Sequence, residues 1–110
     1  MYTSALTMIQ AQAYFLLEQA DEEKFINLYF SDGFDLDYYY VETSCSLLKQ
    51  AIRYCRLGVV KFMLKNGVKV SQDLLNFTEL NVRMRNNRAS KFLAQAIHDL
   101  IKNEVLKCEK

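Results

Sequence analysis

Apolar residues recur along most of this chain at intervals of three and four, the period of an α-helix with one buried face. Leu6, Ile9, Ala13, Leu16, Leu17 and Ala20 share one side of a first predicted helix. Phe25, Ile26, Tyr29 and Phe30 share one side of a shorter second, which ends near Asp32-Gly33. Leu47, Leu48, Ala51, Ile52 and Cys55 carry a third, and Val59, Val60, Met63 and Leu64 a fourth that ends at Asn66-Gly67. Glycine after Asn or Asp stops a helix because it accepts the left-handed backbone that closes the last turn. Ser71 has the hydroxyl to cap a fifth helix running through Leu74, Phe77 and Met84. Arg85, Asn86, Asn87 and Arg88 read as a connection. The last helix has the most regular pattern, with Ala89, Phe92, Leu93, Ala96, Ile97, Leu100 and Ile101 on one side. Lys91, Gln95, His98, Asp99 and Lys102 turn away from that side. The spacing therefore predicts that Leu48, Ala51, Val60, Leu64, Phe92, Ile97 and Leu100 are buried.

Six helices in this order make three helix pairs. Residues 25–33 and 59–67 each run two apolar, two polar or mixed, two apolar, two polar, then Gly. Gly33 and Gly67 lie 34 residues apart, a period expected of a helical-repeat solenoid. The 110 residues fit a single domain, 1–110. Proline is absent and there are only three glycines, too few turn-formers for an all-β sandwich.

Residues 46–70 read SLLKQAIRYCRLGVVKFMLKNGVKV and resemble a degenerate ankyrin repeat, whose usual form is T-P-L-H-x-A-A followed by G-H-x-x-V-V-x-x-L-L-x-x-G-A. Ser46, Leu48 and Ala51 stand where that family has Thr, Leu and the first Ala. Val59-Val60-Lys61 and Leu64 through Asn66-Gly67 match the second helix and its glycine stop. Leu47 replaces the family's proline, Lys49 its histidine, and Cys55 the glycine between the helices. The resemblance implies an all-α, ankyrin-like stack of about three antiparallel helix pairs with short projecting loops. Its approximate repeats would be 5–36, 46–70 and 72–107. In that family a partner usually lies across the loops and the first helix of each pair.

Charge adds a second pattern. Residues 1–42 hold eight acids against one base, a net −7, and residues 43–110 hold thirteen bases against five acids, a net +8. Such a layout can steer partners or favour head-to-tail self-association, and it also arises when solvated helix faces differ in sign. The cysteines, Cys45, Cys55 and Cys108, are odd in number and irregular in spacing, so all three are expected to be free thiols in a reducing compartment. The first 17 residues lack a basic start followed by an uninterrupted apolar run, and no stretch approaches the length of a membrane span. The expected location is the cytoplasm, which for a viral or intracellular-pathogen protein means the host cell.

Candidate chemistry is sparse. His98 is the sole histidine and is expected at the surface; no nucleophile, P-loop or metal-ligand motif surrounds it. Neither enzyme activity, nor a cofactor, nor a metal is expected. Three consecutive tyrosines, Tyr38, Tyr39 and Tyr40, sit with Glu42 in a segment between two helix pairs. Tyrosine buries large area at low entropic cost and keeps a polar tip, which suits an interface. Packing of one or two of these rings under the loop is the competing reading. In the ankyrin layout Arg53, Tyr54 and Arg56 would face the concave groove beside this loop, whereas arginines at a helix end are also favoured by the helix dipole. The expected function is non-catalytic protein–protein interaction, as a small adaptor or inhibitor, through Tyr38, Tyr39, Tyr40, Glu42, Arg53, Tyr54 and Arg56. The alternative is nucleic-acid binding by the basic C-terminal half, with Arg83, Arg85 and Arg88 as its patch.

Overall fold

The computed structural model describes residues 5–40 and 45–108, and within them not the side chains of residues 5–7, Tyr40 or Cys108. Leu6, Tyr40 and Cys108 as side chains, and Glu42 entirely, therefore lie outside the described residues. The described chain is all-α apart from one short hairpin. Its helices are α1 (Ala5–Glu18), α2 (Glu22–Asp32), α3 (Leu47–Arg53), α4 (Leu57–Lys65), α5 (Gln72–Met84) and α6 (Arg88–Cys108). Between α2 and α3, β1 (Tyr39–Tyr40) pairs antiparallel with β2 (Cys45–Ser46), Tyr39 opposite Ser46 and Tyr40 opposite Cys45.

Local chemistry sets the helix ends. Asp21, Ser46 and Ser71 cap α2, α3 and α5 by accepting from the amides of Lys24, Lys49 and Leu74 at 3.0, 3.1 and 3.2 Å. Asn87 Oδ1 does the same for α6, accepting from Ala89 at 2.8 Å and Ser90 at 3.1 Å. Gly33 (φ 70°) and Gly67 (φ 85°) end α2 and α4 in the left-handed region, as their position after Asp32 and Asn66 predicts. The turns inside the first two pairs also take a positive φ, without glycine, at Ala20 (φ 63°) and Cys55 (φ 57°).

Helix α3 packs on α1, α4 and α5, and α4 packs on α2, α3 and α6; α1 meets α2, and α5 meets α6. The first helices of the pairs thus form one row and the second helices another. The core runs between the rows through Leu17, Phe25, Leu47, Ala51, Ile52, Val59, Val60, Met63, Ile97 and Ile101. Leu48, Ala51, Val60 and Ile97 are buried as their spacing predicts, while Leu64 and Leu100 are half-buried at its margin. Phe92 is 73% exposed, contrary to expectation. The buried stripe of α6 is Ala94, Ile97, Ile101 and Val105, and Phe92 lies about 200° round the helix from Ala94.

Hydrogen bonds tie each pair to the next. Glu22 reaches from α2 to the amide of Val59 at 2.7 Å, supplying the cap that α4 lacks of its own. A Cβ on Gly58 would meet that carboxylate at 2.5 Å, so glycine here makes room for the bond. Arg56 donates back to the last carbonyls of α1, from Nε to Leu17 O at 2.6 Å and from Nη2 to Glu18 O at 3.1 Å. The device recurs one pair later. Asn81 Nδ2 donates to Ile52 O at 2.9 Å and Arg85 donates to Arg53 O, so side chains of α5 and of the residue just after it close the C-terminus of α3.

Candidate functional site

The tyrosine segment is held from both ends. Buried Gln10 of α1 grips Asp35 by its backbone, accepting from its amide at 2.6 Å and donating to its carbonyl at 3.4 Å. Tyr38 O accepts from Leu47 N at 3.2 Å, and Asp37 Oδ1 accepts from Lys69 N at 3.3 Å, linking this loop to the one after α4. Tyr38 is at the edge of exposure and Tyr39 is 54% exposed. Apolar Phe34 and Leu36, just before them, are buried instead.

Arg53, Tyr54 and Arg56, neighbours in sequence, have different surroundings. Arg56 is half-buried against the end of α1. Tyr54 is half-buried and donates from its hydroxyl to Glu18 Oε1 at 3.1 Å; that bond first, with slight burial, lifts its phenol above the usual range. Arg53 is exposed, and with Lys49 one turn before it forms the open face of α3. Lys49 Nζ lies 4.9 Å over the ring of Phe77 on α5.

Opposite them, α5 inverts the usual distribution. Polar Thr78 and Asn81 are buried, while Leu80 is 49% and Met84 68% exposed. Thr78 is satisfied by Leu75 O at 2.6 Å and Asn81 by Ile52 O, so each polar group has its partner inside. Phe77, Leu80 and Met84 follow one another at helical spacing along the flank of α5 next to Asn81. With Arg53, Asn81 and Arg85 they line a hollow of about 350 Å³. A second hollow of about 180 Å³ shares Phe77 and adds Lys49, Ser71, Asp73 and Leu74. A third, of about 200 Å³, shares Ser71 and Leu74 and reaches Tyr39, Ser46 and Lys69. The three run together as one groove from Met84 to the projecting hairpin. It joins Tyr39 and Arg53, which the sequence singles out, to Phe77, Leu80 and Met84, which it does not. Their period-seven spacing was readable, but nothing in the pattern says that it faces outward.

The basic cluster is divided. Arg85 commits its guanidinium to Arg53 O and to Asn81 Oδ1 at 2.8 Å. Arg83 lies round the helix, beside Glu79, Val82, Gln95 and His98, and Arg88 is exposed at the start of α6. His98 is not the surface residue expected: its side chain is only 14% exposed. It lies between α5 and α6, with Nε2 3.6 Å from Glu79 Oε1 and Nδ1 3.4 Å from Asp99 Oδ1. Glu79 comes from the facing helix, which periodicity within α6 cannot reveal.

Among the described residues no three His, Cys, Asp or Glu side chains are grouped to hold a metal, and no helix is long and apolar enough to cross a membrane. Cys45 and Cys55 are free and buried. Burial raises the Cys45 thiol above its usual range against the opposing pull of Arg53, Lys49 and a hydrogen bond with Tyr14. Comparison of the chain with family models, with curated proteins and with solved structures finds no match.

Proposed function

We propose that the chain is a non-catalytic protein-interaction module, an ankyrin-like stack that takes a partner across its loops and the open face of its first helices. The observation that carries this reading is the inversion on α5. Leu80 and Met84 are held in solvent while Thr78 and Asn81 occupy the core. A contiguous exposed apolar strip costs solubility and contributes nothing to the fold, so contact with another molecule explains it. The succession of helix pairs, the hairpin between the first two, and left-handed Cys55 where the ankyrin pattern has glycine all suit the same layout. So does the groove's continuity with Tyr39. Acting alone, such a module works as an adaptor or as an inhibitor that covers a partner's surface. Two buried, unpaired thiols suit a reducing, cytoplasmic setting.

The reading is tested with a photo-crosslinking residue placed at Met84 and, separately, at Lys102, which is exposed on α6. In cells that express the protein, the Met84 probe should trap a discrete protein adduct that the Lys102 probe does not. Equal, diffuse labelling from both positions would count against a dedicated surface.

A further inference from the structure

We propose that the groove between α3 and α5 takes an acidic polypeptide segment whose apolar side chains seat on Phe77, Leu80 and Met84 and whose carboxylates meet Lys49 and Arg53. This rests on the interaction reading above and names the chemistry of the partner.

The floor and the rim carry the argument separately. The floor is apolar, and the hollow of about 350 Å³ has room for large side chains. The rim is cationic. Lys49 and Arg53 stand one turn apart on α3, and among the described residues no carboxylate lies within 4 Å of either. Arg85 adds a third positive charge to the wall, its guanidinium fixed on neutral oxygens and neutralised by none. Asp73 is the one acid lining either of the two hollows that hold these cations.

A segment that covers the floor also strips water from Lys49 and Arg53. If it is neutral or basic, those cations lose hydration and gain no counter-charge, an uncompensated desolvation. A carboxylate one or two residues from an apolar anchor restores that loss, and bidentate contact with Arg53 adds direction. The cations also lie in the +8 half of the chain, which draws in negative partners from a distance. Single-stranded nucleic acid fits less well. It needs successive flat aromatic platforms for its bases. Here the sole aromatic on the floor of these two hollows is Phe77, and Lys49 lies over its ring.

The test is selection of random displayed peptides of about 16 residues on the immobilised full-length chain. Peptides that wild type enriches should carry net negative charge and at least two large apolar residues. Made synthetically, they should bind Met84→Leu as they bind wild type. Met84→Asp and the double variant Lys49→Glu/Arg53→Glu should bind them roughly tenfold or more weakly. Thermal melts should match wild type for Met84→Asp and stay close to it for the double variant, since Met84 and Arg53 are exposed and Lys49 is half-buried with its ammonium at the surface of the Phe77 ring. Enriched peptides that are neutral or basic, yet are lost on Met84→Asp, would overturn the acidic partner while leaving the interaction reading intact. No enrichment over an unrelated protein would overturn both. An oligouridine of about 12 nucleotides that binds in about 150 mM salt and competes with the peptides would reassign the groove to nucleic acid.

Discussion

Arg53 and Arg56 lie less than a turn apart in sequence, and their surroundings give them opposite roles. Arg56 satisfies two carbonyls left open by the end of α1, so removing it orphans both. Arg56→Ala should lower stability by about 1–3 kcal/mol in urea denaturation. Arg53→Ala removes an exposed side chain and should stay within about 0.5 kcal/mol of wild type. Equal losses for the two would show that the bonds of Arg56 add nothing to the fold. Ala20 holds a left-handed turn that costs a side chain about 1 kcal/mol. Ala20→Gly should therefore raise the melting temperature, by a few degrees for a domain of this size. Cys45 gives a pH dependence of definite sign. Burial raises its thiol above 9.0, so the folded chain keeps a proton that the unfolded chain releases. Its contribution is whole below about pH 9 and is lost as pH rises through the raised value. The urea midpoint should hold steady from neutral pH and then fall above about pH 9. Cys45→Ala should flatten that fall, and an unchanged slope would remove Cys45 as its source.

At the scale of elements, helix positions were legible and helix orientations were less so. The stops at Gly33 and Gly67 and the cap at Ser71 depend on backbone geometry that neighbouring residues dictate, so sequence alone reveals them. Facing depends on what lies across the interface. Helix α5 carries Leu75 on one side and Phe77, Leu80 and Met84 on the other, with Leu74 between them, and periodicity does not say which side faces inward. The structure buries Leu75 and leaves Leu80 and Met84 open, while Thr78 and Asn81 find hydrogen-bond partners inside. Helix α6 misleads for another reason. Small Ala94 lies on the buried face, and large Phe92 suggests a buried face where there is none. Of the candidate site, Tyr39 and Arg53 were readable as an exposed aromatic and a helix-end cation, whereas the groove between them is tertiary. The two faces of α6 separate cleanly by mutation. Ile97→Ala should cost about 2–5 kcal/mol, and Phe92→Ala should leave the melting temperature nearly unchanged. A comparable loss from Phe92→Ala would mean that the helix is rotated from the orientation described.

At the scale of the whole molecule, the ties between pairs determine whether the chain unfolds as one unit. A stack in which each unit contacts only its neighbours gains cooperativity from its interfaces, and weak interfaces let terminal units open first. The first interface combines buried packing of α1 on α3 and α2 on α4 with two half-buried side-chain clamps, Glu22 to Val59 N and Arg56 to the end of α1, and with the more exposed bonds of Tyr54 to Glu18 and of Lys69 N to Asp37. The clamps run in opposite directions, one from the first pair to the second and the other back. Wild type should therefore melt in a single transition, with backbone circular dichroism and tyrosine fluorescence coincident. The double variant Glu22→Ala/Arg56→Ala removes both clamps and leaves the apolar interface in place. Amide exchange in that variant should show α1 and α2 opening ahead of α3–α6, by roughly 2–4 kcal/mol. The amides of α5 and α6 should keep most of their protection, because their links to α3 through Asn81 and Arg85 are untouched. Should all six helices still exchange together, buried packing and the remaining bonds couple the pairs, and the two clamps are incidental to the cooperativity of the stack.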